Sequence, residues 1–321
     1  MHEYLIYIHG VSPENNPDQT ETYDQLHKGV GKVSTNFPNR SDWEKAKRCD
    51  IKWGSEQNPV LEGDHLLAKA QDELAKKLLG HIQQTSDWTI NPARLLLSTL
   101  RELMIRGFSD MFYYVSQDGK RSIRRSVSSQ IIQCIQEPLE KKEPISLTFL
   151  GHSAGSVIAF DFLFYLFASQ SILSNKDHDF IEVGNEDSSE VNHILQDFEK
   201  LRKLADNKRL RVRRLFTFGS PISMLAFRSN AFLDILAQGN ALNFHDYGLA
   251  DNPEVFGQSL NGARWINFWD KDDIIAWPVE GLMQESSAIK DIYVDIGDHI
   301  STVHNLYWDS KKVHEEIAAL W

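Results

Sequence analysis

The order of elements predicts an α/β chain built on a mostly parallel sheet covered by helices. Short apolar runs rich in β-branched and aromatic residues alternate with longer segments of helical periodicity. The run ISLTFL at 145–150 is apolar almost throughout, as expected of a central strand buried on both faces. Composition agrees: of 321 residues, 41% are hydrophobic and 25% charged, which fits a globular chain and excludes collagen-like, coiled-coil and disordered classes. One domain over 1–321 with a sizeable core is the simplest organisation.

The first predicted strand is YLIYIH (4–9), and the second is CDIKW (49–53). About 90 residues then precede the third strand, far more than one crossover needs. Leu67, Ala70, Leu74 and Leu78 recur at helical spacing, and Asn91-Pro92 reads as an N-cap followed by a first-turn proline. A helical insertion, or cap, is therefore expected over 56–118. Its aromatic end GFSDMFYYV (107–115) reads as a helix packed on the core, and residues 120–136 supply the helix before ISLTFL.

The segment AGSVIAFDFLFYLFA (154–168) contains Asp161 and is shorter than the roughly 20 residues needed to cross a bilayer, so it reads as a buried helix. A polar, acidic stretch at 169–190 reads as a loop or flap. The remaining strands are RLFTF (214–218), RWINFW (264–269) and KDIYVDI (290–296), with an excursion over 225–262 before the second of these. All three excursions are placed to overhang the carboxyl ends of the strands, where open α/β sheets bind ligands.

Charge and cysteine content narrow the classes of function. Lys and Arg number 34 against 45 Asp and Glu, a net charge of −11 that disfavours nucleic acid and anionic membranes as partners. The basic runs KRSIRR (120–125) and NKRLRVRR (207–214) read as solvated faces, with peripheral membrane contact as the other reading. Cys49 and Cys134 are too few for a disulfide framework, and the N-terminus lacks the features of a secretory signal, so a reducing, cytoplasmic setting is expected. His314-Glu315-Glu316 lacks the second histidine of a metalloprotease helix, and no metal or other cofactor is expected.

The chemistry-bearing segment is Gly151-His152-Ser153-Ala154-Gly155, a G-x-S-x-G pattern. Alone the pattern is weak, but here a predicted buried strand precedes it and a predicted helix follows, which is the context of a nucleophile elbow. Its glycines allow a sharp turn that lifts the serine hydroxyl above the sheet. A small-residue turn serving only close helix packing is the bland reading. A serine needs a base to take its proton and a third group to orient that base. In the elbow fold these follow in the order serine, acid, histidine. Asp270, Asp272 and Asp273 follow one strand, and His299 and His304 follow the next, so the order is met but spacing does not choose among them. Ser220, in Gly219-Ser220-Pro221, has no elbow pattern and reads as a turn residue.

At these residues the sequence resembles the α/β-hydrolase superfamily of serine esterases and lipases, including the intracellular DDHD-type phospholipases. The matching pieces are GHSAGSVIAFD, TFGSPIS (217–223), NFWDKDDIIAWP (267–278) and HNLYWDS (304–310). The resemblance implies Asp273 as the acid and His304 as the base, leaving Asp272, Asp270 and His299 as runners-up. The backbone N–H of Ala154 is the expected first oxyanion donor. His9-Gly10-Val11 resembles the oxyanion turn of such esterases, which implies Val11 as the second donor and Gly10 after it. The implied activity is hydrolysis of a carboxylic ester, with a lipid-like ester as the narrower expectation. Thioester hydrolysis and acyl transfer use the same triad, and a catalytically silent scaffold on the same fold is the rival from another class.

Overall fold

The computed structural model describes residues 2–10, 20–33, 40–53, 114, 117–167, 189–225, 253–256, 262–282, 288–297 and 302–321. Among them lie six strands in one sheet: β1 (His2–Ile8), β2 (Lys47–Ile51), β3 (Ile145–His152), β4 (Leu210–Phe218), β5 (Trp265–Trp269) and β6 (Ile289–Tyr293). Every pairing between them is parallel, in the order β2-β1-β3-β4-β5-β6. All six predicted strands are present, with ends displaced by a few residues.

Parallel neighbours require crossovers, and these place helices on both faces. The helices α1 (Thr20–Lys32), α2 (Arg40–Lys45) and α6 (Lys311–Leu320) cover one face, whose core includes Leu5, Tyr7, Leu26, Trp43, Phe216 and Ile317. On the other lie α3 (Gln117–Glu140), α4 (Ala154–Phe167) and α5 (Ser189–Asp206), packed on Ile6, Phe149 and Val212. α4 is buried nearly all round, which explains a sequence without amphipathic alternation. Its one carboxylate, Asp161, accepts hydrogen bonds from Tyr114 and, at 3.3 Å, from Arg124.

The chain leaves β1 for β2 on one side and then returns to place β3 on the other. The direction of winding thus reverses between β1 and β3, and a crevice at such a reversal is where open α/β sheets bind ligands. The carboxyl ends of these two strands carry His9-Gly10 and His152-Ser153.

One expectation is corrected. The basic run at 207–214 is solvated only at its start: Lys208 and Arg209 are exposed, whereas Arg211, Arg213 and Arg214 are buried within β4. Arg213 Nη1 donates to Glu3 Oε1 at 3.2 Å, Arg211 Nε donates to Ser146 Oγ at 2.9 Å, and that hydroxyl donates to Glu3 Oε1 at 2.7 Å. A register shift between Leu147 and Thr148 leaves Arg213 without a residue opposite it on β3.

The predicted insertion (56–118) lies outside the described residues except for Tyr114, which is buried in the core, and the start of α3. The same holds for the flap (169–190) apart from the start of α5, and for the excursion (225–262) apart from Leu225, Pro253–Phe256 and Gly262. Cys49 is buried, Cys134 is exposed, and both are free thiols. No helix among the described residues is long and apolar enough to cross a membrane.

Candidate active site

β3 runs directly into α4 through Ser153, the single residue between them. Ser153 has φ 52°, a left-handed conformation that costs a non-glycine residue on the order of 1–3 kcal/mol and persists only when its surroundings hold it. Those surroundings are a set of hydrogen bonds. Ser153 N donates to Phe218 O at 2.9 Å, and Ser153 O accepts from Ser156 N at 3.0 Å and Ser156 Oγ at 2.5 Å. Because Ser156 spends its one hydroxyl proton there, Ser220 Oγ, 2.8 Å away, is the donor to Ser156, and it in turn accepts from Ile222 N at 3.3 Å. Ser220 is thus a turn residue with a task, tying the elbow to the turn after β4. The motif glycines act by close approach: a Cβ at Gly155 would lie 2.2 Å from Ile8 O, and one at Gly151 2.7 Å from Ser156 Cα.

The loop after β5 carries the three candidate acids, and the structure gives each a different environment. Asp270 is fully buried, and its carboxylate accepts Asp272 N at 2.9 Å and Ile296 N at 2.8 Å, joining this loop to the chain after β6. Asp272 lies at the surface, 3.8 Å from Lys271. Asp273 is the one that meets a histidine: its Oδ2 is 2.8 Å from His304 Nδ1. The same oxygen accepts from Tyr307 Oη at 3.0 Å, and Oδ1 accepts from Ile275 N at 3.0 Å. Burial alone would raise the Asp273 carboxyl, but hydrogen bonds from His304, Ile275 and Tyr307 and the His304 charge outweigh it and hold the group below its ordinary value.

His304 sits in a 3-10 helix, Val303–Asp309, after β6. A carboxylate at Nδ1 makes that nitrogen the one that carries hydrogen, so Nε2 is left as the basic nitrogen. His299 lies outside the described residues.

Two contacts bring this acid–imidazole pair to the elbow. His152 Nε2 is 2.6 Å from His304 O, and the two rings pack with centroids 4.7 Å apart. Gly219, which follows the Phe218 carbonyl that holds Ser153 N, lies so close to the pair that a Cβ there would be 3.0 Å from both Asp273 Oδ2 and His304 Nδ1. Among the described residues the Ser153 hydroxyl itself has no hydrogen-bond partner.

Of the expected oxyanion donors, Ala154 is the first residue of α4, where N–H groups have no acceptor within the helix. Gly10, two residues past the end of β1, lies against the serine, with a Cβ there falling 2.5 Å from Ser153 Cβ. Val11 lies outside the described residues. His9 is buried and donates through Nδ1 to the Gly10 carbonyl. It stacks on Trp53 at 5.4 Å between ring centroids, while Trp53 Nε1 donates to His9 O at 2.7 Å. Burial pushes the His9 imidazole down to about 4, with the Gly10 hydrogen bond opposing it. The ring is therefore neutral near pH 7 and serves as a brace for this turn.

Among the described residues no group of three or more His, Cys, Asp or Glu is placed to hold a metal. His314 is instead buried in packing, with its Nε2 2.7 Å from Trp308 O. Sequence reasoning named neither Gly219 nor Tyr307 as a site residue. Tyr307 lies inside the quoted HNLYWDS segment, three residues after His304, and that spacing was the available signal. No family model, curated protein or solved structure matches this chain.

Proposed function

We propose that the chain is a serine hydrolase of the α/β-hydrolase type, cleaving a carboxylic ester through an acyl-enzyme. The observation that carries this reading is the buried Asp273–His304 pair, tied through the His304 carbonyl to His152, the residue before a serine held in left-handed conformation at a strand-to-helix turn. The reversal of the sheet between β1 and β3 at the same place adds support.

In the proposed reaction Ser153 Oγ attacks the ester carbonyl carbon as its proton passes to His304 Nε2. Asp273, kept ionised, orients the imidazole and stabilises the imidazolium. The carbonyl oxygen becomes an oxyanion, stabilised by Ala154 N–H and by a second donor, for which Gly10 and Val11 are the candidates; one such donor is typically worth about 2.7–4 kcal/mol of barrier. Collapse expels the alcohol, which takes the proton from Nε2. Water then enters, gives a proton to Nε2 and attacks the acyl carbon. Breakdown of the second tetrahedral intermediate returns that proton to Ser153 and frees the acid. The separation of Ser153 from the imidazole by more than a hydrogen bond accords with free enzymes, whose catalytic contacts often tighten only around substrate.

A lipid-like ester is the narrower form of the proposal, resting on the family resemblance, and a reducing cytoplasmic setting belongs to it on the strength of the two cysteines. The test is labelling by a fluorophosphonate probe. Wild type is expected to be labelled and Ser153→Ala not, with ester turnover falling on the order of 10⁴-fold or more. An unlabelled wild type with no ester turnover would establish the silent scaffold instead. Rates on p-nitrophenyl esters of increasing acyl length test the lipid preference, which turnover of acetyl esters alone would overturn.

A further inference from the structure

We infer that His152, the residue before the proposed nucleophile, is a positioning residue that sets the place of the proposed base by donating its Nε2–H to the backbone carbonyl of His304. The inference rests on the hydrolase reading and deepens it by assigning a task to a residue for which the G-x-S-x-G pattern prescribes no side chain.

Four features carry it. The bond is short, 2.6 Å, and both residues are buried. Its acceptor is a carbonyl, so Nε2 must carry the proton, and the imidazole acts here as a donor of fixed tautomer. The ring also packs against the base-bearing turn beyond that bond, with its centroid 4.7 Å from the His304 ring, 5.4 Å from Trp308 and 6.2 Å from Tyr307. Finally, the bond lands on the second residue of the 3-10 helix Val303–Asp309, so it acts at the start of the turn that carries the proposed base.

The mechanical consequence follows from where the anchor acts. Asp273 fixes the rotation of the imidazole through Nδ1, but the ring's position is inherited from the backbone of His304. His152 holds that backbone and is covalently joined to Ser153. A displacement of the elbow therefore carries the base with it, and the separation of the two reacting groups is conserved. Burial, with the nearby His304 charge adding to it, pushes the His152 imidazole down to about 3, so the ring stays neutral beside an imidazolium formed during turnover.

The test compares His152→Gln, whose amide nitrogen reaches the place of Nε2, with His152→Asn, which is too short, and His152→Leu, which has no donor. Misplacement of reacting groups by about 1 Å costs on the order of 100-fold. Accordingly, kcat is expected to fall about 100-fold in the Asn and Leu variants with KM changed less than about threefold, and to stay within about tenfold of wild type in the Gln variant. The downfield proton resonance of the His304–Asp273 hydrogen bond is read in parallel, and it is expected to persist in wild type and Gln and to broaden or vanish in Asn and Leu. This readout does not require Ser153 to be a nucleophile, so the positioning role is judged even if ester hydrolysis is not the activity. A resonance unchanged in Asn and Leu, Gln failing as badly as Leu in a folded protein, or a loss confined to KM would overturn the inference. Should Leu not fold, the Asn and Gln pair decides.

Discussion

The Tyr307 hydroxyl lies 3.0 Å from Asp273 Oδ2 and 3.0 Å from Asp270 N. It donates to the carboxylate of the proposed acid while accepting the backbone N–H three residues earlier, so one buried oxygen locks the acid loop to the turn that bears His304. Burial, then the Asp273 charge, raises the phenol far above its ordinary value, so the proton stays on it. Tyr307→Phe removes both bonds and leaves the Asp270 N–H buried without its acceptor. A loss of about 1–3 kcal/mol in urea denaturation is expected. Ester turnover is expected to fall about tenfold, corresponding to about 1.4 kcal/mol of barrier, as the carboxylate loses one of its three donors.

Three aspartates within four residues give a sharp comparison. Asp273→Asn keeps the shape but replaces an ionised acceptor with an amide, so the imidazole loses the partner that fixes its tautomer, and turnover is expected to fall about 10⁴-fold. Asp272→Asn touches only a surface charge and is expected to change turnover less than about twofold. Asp270→Asn faces two backbone N–H donors with one acceptor oxygen, and is expected to lower stability by about 1–3 kcal/mol. Steady-state kinetics and thermal melting of the three variants separate these effects.

Gly219 and Gly262 form an internal control. Both have positive φ, at 56° and 76°, so alanine strains the backbone of each by about 1–2 kcal/mol. A Cβ at Gly262 meets nothing within 4 Å, whereas one at Gly219 presses on Asp273 and His304. Gly219→Ala is therefore expected to lose kcat at least tenfold more than Gly262→Ala does. Equal losses in turnover would show that the contact with the pair has no functional weight.

The architecture was legible because strand periodicity and turn glycines are local signals. Each predicted run survived as a strand in one parallel sheet, and the residues of the G-x-S-x-G segment occupy a strand end, a single left-handed turn residue and a helix start. The choice among Asp270, Asp272 and Asp273 was not local. All three stand in one loop, and what singles out Asp273 is the approach of the 3-10 helix from beyond β6. The resemblance pointed to Asp273 and His304, which the fold brings to 2.8 Å, while periodicity and spacing had left them level with their neighbours. The arginines of β4 were misread for a related reason. Charge runs are ordinarily solvated, and nothing within 207–214 announces that Glu3 and Ser146, from two other strands, take two of those arginines into the packed interior. His152 falls in the same class, since its partner carbonyl lies 152 residues away.

Stability is expected to fall as pH is lowered through a window set by the buried histidines. His9 is pushed down to about 4 and His152 to about 3, in both cases by burial first. Their unfolded value is near 6.5. Between these limits the unfolded chain binds more protons than the folded one, so stability rises with pH. Their neutral-state contribution is fully present above about pH 6.5 and is lost as pH falls toward 4 and then 3. Each such group gives a slope of at most about 1.4 kcal/mol per pH unit. Unfolding free energies from urea titrations at pH 7, 6 and 5 should therefore decline progressively. His152→Gln, which keeps a donor but cannot titrate, should show a shallower decline over the same range by up to one histidine's share. A variant slope equal to that of wild type would mean that His152 is protonated at no cost in the folded state, which is incompatible with a buried ring whose Nε2–H is committed to the His304 carbonyl and whose neighbour is the proposed proton carrier.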